Sequence, residues 1–289
     1  MMLIALILFW SSCVHAEIPR DFVRVSSMDE SPGDTLLFLE DGRVGRLNHS
    51  ETLLPEIKHI LHQNSDVLVL LSTEGNVIRV KSAAKEAGSG RSTIDSEKPK
   101  NLAPEPPSIV SETEAQDVFQ SMNPNYRRRS QCFNRAHVWT YETFQSKGIH
   151  LMKVFMFFTS KYIREYRYRW WFHVSPFAIV ETNGEKRESI LDHTFMNGPV
   201  GPKEWSDHFI EPRTPCPTVN RYSDYSNHQY DHYCYFMKVP MYFWQPRHLE
   251  ALEAGTPAPE SFVRDEVLAA YSQAFFGAPR TSTRVKDAH

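Results

Sequence analysis

At 289 residues, with 41% apolar and 12% aromatic side chains, the chain can build one or two domains around a sizeable core. A formal charge of −3 and the lack of any long basic run remove the electrostatic case for a nucleic-acid partner. Aromatic residues concentrate after Phe133, so the larger core is expected there.

Leu3–Trp10 is an apolar run too short to span a bilayer, and Val14-His15-Ala16 follows it with small residues at the right places for cleavage. This reads as a secretory signal peptide over 1–16, which implies a secreted or periplasmic protein with no membrane partner after cleavage. Lipid attachment at Cys13 is the alternative, and Trp10 suits it poorly. Residues 17–83 read as a small α+β unit. Thr35–Leu39 and Val44–Leu47 flank one turn, Val67–Leu71 and Val77–Val80 flank another, and Leu53, Ile57, Ile60 and Leu61 keep helical spacing between them. His59 and His62 fall on the solvated side of that helix.

Residues 84–111 read as a disordered linker, rich in Gly, Ser, Pro and scattered charge. Ser111-Glu112-Thr113-Glu114 is a capping-box signature that opens a helix. From 112 to 278 the chain reads as one catalytic-sized domain, and 279–289 as a disordered tail.

Within that domain, Ser130 is a candidate N-cap, and Phe133, Ala136, Trp139 and Phe144 recur at helical spacing up to a Gly148 stop. Cys132 then sits in the first turn, where unpaired N–H groups and the positive end of the helix dipole favour a thiolate. Leu151–Ile163 is a β-rich run leading to a hairpin, whose turn is Asn183-Gly184. With a two-residue loop His173 lies opposite Thr194 and diagonal to Asp192; with a four-residue loop it faces Asp192 directly. Both registers put imidazole and carboxylate on one face. Pro176 argues for a bulge or an edge position.

Taken singly, Cys132 reads as a core thiol, His173 as a buried hydrogen-bonded histidine and Asp192 as a strand-end cap. Together they have the form of a cysteine acyl-transfer site: a thiolate nucleophile, an imidazole that stores the proton, and a carboxylate that fixes its tautomer.

Cys132-Phe133-Asn134-Arg135-Ala136-His137, Trp171-Phe172-His173-Val174, Ile190-Leu191-Asp192 and Gly198-Pro199-Val200 with Trp205 resemble, in that order, the secreted bacterial protein-glutaminases. The resemblance implies an α+β fold, in which a papain- or transglutaminase-like catalytic domain follows a small propeptide-like domain. That domain would have a helix-borne Cys packed on an antiparallel sheet carrying His and Asp. It implies Cys132, His173 and Asp192 as the catalytic residues, and glutamine side chains of proteins or peptides as substrates. It also implies no cofactor, and a pro-region that inhibits in cis. A papain-like peptidase, a transglutaminase-like acyl transferase and a non-catalytic envelope-binding protein are the alternatives.

After Asp192, Trp205–Ile210 reads as a short helix, Arg213–Tyr233 as irregular, Tyr235–Trp244 as a strand, and Pro246–Glu253 and Ser261–Phe276 as helices. His228, Asp231, His232 and Cys234 make a weak zinc pattern, since four ligands are not evident. A disulfide between Cys216 and Cys234 is the simpler reading in an oxidising compartment.

Overall fold

The computed structural model describes residues 22–47, 52–83, 106–128 and 131–276. The signal peptide, the bulk of the linker, Ser130 and the C-terminal tail lie outside the described residues.

The N-terminal unit is a five-stranded sheet with one helix. Its strands are β1 (Val23–Ser31), β2 (Asp34–Leu39), β3 (Val44–Leu47), β4 (Asp66–Leu71) and β5 (Val77–Ala83), in the order β3-β2-β1-β4-β5. Helix α1 (Leu53–His62) carries Ile57 and Ile60 into a core shared with Leu37, Leu39, Val67 and Val69. Strand β1 escaped the sequence reading because Val-Arg-Val-Ser-Ser-Met-Asp-Glu-Ser has little apolar alternation; it is held by pairing with β2 and β4 on its two sides. Strand β2 is apolar on both faces and buried on both. Leu37 and Leu39 face the unit's own core, whereas Leu36, Phe38 and the β3 residue Val44 join the core of the larger domain. Each such side chain contributes about 1.5–3 kcal/mol on full burial, so the two units are packed together rather than strung apart.

The larger domain holds β6 (Ile109–Val110), α2 (Glu112–Ser121), α3 (Cys132–Lys147), β7 (Met152–Phe158), α4 (Ser160–Tyr166), β8 (Phe172–Thr182), β9 (Glu185–Ile190) and α5 (Pro202–Phe209). It continues with β10 (Thr218–Val219), α6 (Tyr222–Asn227), β11 (Cys234–Pro240), α7 (Pro246–Glu253) and α8 (Arg264–Phe276). Its sheet runs β10-β11-β7-β8-β6, with β9 on the other side of β8; the β6–β8 and β10–β11 pairs are parallel and the rest antiparallel. The last linker residues are therefore structured: Ile109 and Val110 pair with Ile179 and Val180. Ser111 and Glu114 form the capping box expected for α2.

Several expected boundaries move. The β-rich run ends at Phe158, because the Thr159 hydroxyl caps a new helix, α4, by accepting from the Tyr162 amide. The stretch expected to be irregular contains β10 and α6, and the last strand stops at Pro240. Among the described residues no helix is long and apolar enough to cross a membrane.

Candidate active site

Helix α3 is the centre of the larger domain. Every residue from Cys132 to Thr140 is buried, including Asn134, Arg135 and His137. A helix covered on all sides is a core element rather than a surface one. Its cap is Gln131 in an extended conformation, with no side-chain cap bond, so the Ser130 cap is replaced and Cys132 is the first helical residue. Gly148 ends it in the left-handed region, its amide bonded to the Phe144 carbonyl.

His173 lies on β8, beside β7, opposite Met156. The hairpin turn has two residues: Asn183 and Gly184 take φ of 54° and 81°, and Thr182 faces Glu185. This selects the first of the two registers. The strand pairing stops at Ile190, so Asp192 is not a strand partner of His173.

Pro176 shows how Asp192 gets there. Its carbonyl accepts from the Leu191 amide, continuing the ladder, but it has no N–H to return to the Leu191 carbonyl. That carbonyl takes the His193 amide instead, and the chain turns through Asp192–Met196, with the Phe195 and Met196 amides bonded to the Asp192 carbonyl. Pro176 thus interrupts no central pairing, and β8 stays continuous; it ends the β8–β9 ladder where the carboxylate must fold inward.

His173 Nε2 and Asp192 Oδ2 are 2.6 Å apart. The same Oδ2 accepts from the Trp205 indole N–H at 2.9 Å, and Oδ1 accepts from the Thr194 amide at 3.1 Å. With Nε2 committed to Asp192, Nδ1 is the nitrogen left for Cys132, which is within hydrogen-bonding reach of the ring. Phe209, Phe195 and Trp205 wall the imidazole, at ring distances of 4.8, 5.2 and 5.5 Å.

Burial by itself would lower the His173 pKa, but the Asp192 charge and hydrogen bond, with a smaller contribution from Cys132, outweigh it and raise the value to about 9. Burial pushes Asp192 upward, and the charge and hydrogen bond of His173, the Trp205 bond and the Arg135 charge hold it below the usual carboxylate range. The pair is built to be an imidazolium beside a carboxylate.

Cys132, His173 and Asp192 are therefore brought together. Cys216 and Cys234 are joined by a disulfide that ties the loop before β10 to the start of β11. Cys234 is thereby removed from the zinc pattern. His228 caps α6 with its Nδ1 2.7 Å from the Asp224 carbonyl. Among the described residues no group of three or more His, Cys, Asp or Glu could hold a metal ion.

Sequence reasoning gave no physical role to Trp205, although a buried indole N–H needs an acceptor. It also missed Tyr168. That phenol is half-buried between α4 and β8, and Cys132 is among the groups that raise its pKa, after burial and Tyr162. The Asn134 amide links α3 to the rest of the domain, donating to Gln273 Oε1 at 2.8 Å and accepting from the Trp244 indole at 3.1 Å.

The chain is similar to known proteins in two ways. Residues 110–209 match a family model for glutamine deamidases, described as glutaminase. A solved structure of pro-protein-glutaminase is 14% identical, covering 90% of this chain and 94% of that one with a TM-score of 0.53. The A47Q2 mutant of pro-protein-glutaminase is also 14% identical, covering 89% and 92% with a TM-score of 0.55. No curated protein matches the chain. The fold is that of these pro-proteins, an α+β architecture with a papain- and transglutaminase-like catalytic domain.

The matched family model and the shared fold are both those of amidohydrolases. The segment matched by the glutaminase model, 110–209, contains Cys132, His173 and Asp192.

Proposed function

We propose that the protein is an exported protein-glutamine glutaminase, and that Cys132, His173 and Asp192 carry out the reaction while the N-terminal unit restrains it. The observation that carries this reading is the convergence of the α3 thiol, the β8 imidazole and the doubly held Asp192 carboxylate inside the glutaminase-family segment.

The thiol proton passes to His173, and the thiolate attacks the side-chain amide carbon of a glutamine. As the tetrahedral adduct collapses, His173 gives its proton to the departing nitrogen and ammonia leaves. Water then attacks the thioester, His173 takes its proton, and glutamate departs as that proton returns to the sulfur. Asp192 holds Nε2–H, so that Nδ1 faces the reacting atoms throughout. The Cys132 amide, at the first helical position, is the backbone donor best placed for the oxyanion. None of these steps calls for a cofactor.

The N-terminal unit reaches the strand that leads to His173. The Val44 amide donates to the Arg169 carbonyl and the Trp171 amide to the Gly42 carbonyl, so Arg43 and Trp170 form an antiparallel bridge. The Trp171 indole donates to the Leu39 carbonyl at 2.7 Å. Gly42 has φ of 90°, and a Cβ there would stand 3.3 Å from the Phe172 and Trp170 rings, so the turn lies flat against the strand. These contacts support a cis-acting pro-region that leaves when residues 84–105 are cut. Export is supported by the disulfide and by the apolar run near the N-terminus.

The test is mass analysis of a protein substrate incubated with intact chain and with chain nicked within 84–105. Glutamine should become glutamate with release of ammonia, and mainly with the nicked chain. New termini in the substrate would make the enzyme a peptidase; preferred incorporation of an added amine would make it an acyl transferase. Equal activity before and after nicking would remove the pro-region.

A further inference from the structure

The cover that the N-terminal unit provides has a chemical character. Arg164, on α4, sends Nη2 to the Asp29 carboxylate at 2.9 Å and Nη1 to the Asp34 carboxylate at 2.8 Å. The same two nitrogens reach the carbonyls of Asp29 and Asp34. Tyr230 adds a hydroxyl donation to Asp29 at 2.9 Å. Arg169 reaches the Thr73 carbonyl, and Arg167 lies between the two arginines. On the catalytic side, then, a ribbon with three arginines and one glutamate, Arg164–Arg169, runs directly into Trp170-Trp171-Phe172-His173. Tyr168, in the middle of the ribbon, is half-buried, and its backbone carbonyl accepts from Arg46 of the N-terminal unit at 3.3 Å.

Two carboxylates satisfy Arg164 in the intact protein, and both come from the N-terminal unit. When that unit departs, the guanidinium loses both charged partners, and it keeps the Tyr230 hydroxyl of the catalytic domain at 3.4 Å. Such a group favours a new carboxylate over water or a neutral surface.

We propose that the Arg164–Arg169 ribbon is a docking surface for acidic polypeptide, and that the enzyme selects glutamines flanked by Asp or Glu. This rests on the glutaminase reading and on departure of the N-terminal unit. The occupant is an acidic substrate segment because the present occupant is one: Asp29 and Asp34 flank the β1–β2 turn, in the same unit that pairs with Arg169–Trp171 beside the catalytic histidine. Inhibitor and substrate thus compete for the same arginine.

The test uses full-length chain nicked within 84–105 and two glutamine peptides of equal length, one flanked by Asp and Glu, the other by Ser and Gly. Nicked wild type should favour the acidic peptide in kcat/KM by roughly tenfold at low salt, since hydrogen bonds to charged groups are the strong ones and exposure weakens them. The preference should shrink as salt is added. Arg164→Gln should abolish it, Arg164→Glu should invert it, and Arg164→Lys, which keeps the charge, should retain part of it. An unchanged ratio in Arg164→Glu overturns the proposal. If nicked wild type turns over neither peptide, the glutaminase reading fails, and docking is read separately by fluorescence anisotropy. The acidic peptide should then bind nicked Cys132→Ala chain and lose that binding when Arg164→Glu is added; equal binding overturns the docking surface.

Discussion

Replacing Asp192 with Asn tests the electrostatic design of the site in one step. The substitution keeps the shape but removes the charge that faces His173 Nε2 at 2.6 Å. The His173 pKa stands at about 9, against an ordinary value of 6.5. That difference corresponds to roughly 3 kcal/mol favouring the imidazolium. The sign follows from the direction of the shift. Stability from this raised pKa is fully present below about 6.5 and is lost as pH rises through about 9. In catalysis the same proton must reach the departing ammonia, so the alkaline limb of kcat/KM should fall near pH 9 in the wild type. In Asp192→Asn burial acts almost unopposed, and the limb should move below about 6.5. Tautomer control is lost as well, so the rate at the optimum should drop by roughly 10³–10⁴-fold. Ammonia release by the nicked chain, followed from mildly acidic to strongly alkaline pH, measures both effects. An alkaline limb that stays near 9 in Asp192→Asn would show that the carboxylate does not set the histidine's basicity.

Trp205→Phe removes the 2.9 Å indole bond to Asp192 from a fully buried position, and should cost about 1–3 kcal/mol in denaturant unfolding together with a loss of rate. A rate unchanged from wild type would reduce Trp205 to packing. Paired Cys216→Ser and Cys234→Ser opens a loop of sequence separation 18 and should lower stability by roughly 3 kcal/mol, read from the same unfolding curves. Arg46→Met removes a guanidinium that donates to the Ile163 carbonyl at 2.7 Å and to the Tyr168 carbonyl at 3.3 Å, across the seam between the two units. Intact chain carrying it should show raised activity before any cut, and a background as low as wild type would place the restraint elsewhere.

Much of the site was legible because it rests on local signals. Asn183-Gly184 set the hairpin, and Gly148 marked where the nucleophile helix stops. What the sequence could not show came from tertiary context. Pro176 has a local meaning, a missing donor, but its effect depends on which carbonyl stands opposite; here that is Leu191, and the result is the inward fold of Asp192. Ser160–Ile163 reads as the end of a β-rich run, yet the Thr159 cap and burial of Tyr162 and Ile163 make Ser160–Tyr166 a helix. Strand β1 has little pattern of its own and exists because two neighbours supply its hydrogen bonds. The docking of the N-terminal unit did leave a trace, since Leu36-Leu37-Phe38-Leu39 is apolar on both faces. A strand in a small isolated sheet has no reason to be so, and the run announces a second layer whose identity only the structure supplies.

Whether Cys132 is the nucleophile of a glutamine-specific amidohydrolase is read out by intact-mass analysis under single turnover. Nicked chain mixed with a slight excess of glutamine peptide and quenched in acid should carry one covalent acyl adduct. Peptide mapping should place that adduct on Cys132, with ammonia released in equal amount before glutamate appears. Cys132→Ala should form no adduct and release no ammonia. Ammonia release by Cys132→Ala at the wild-type rate, or an adduct mapped to any other residue, would contradict the account.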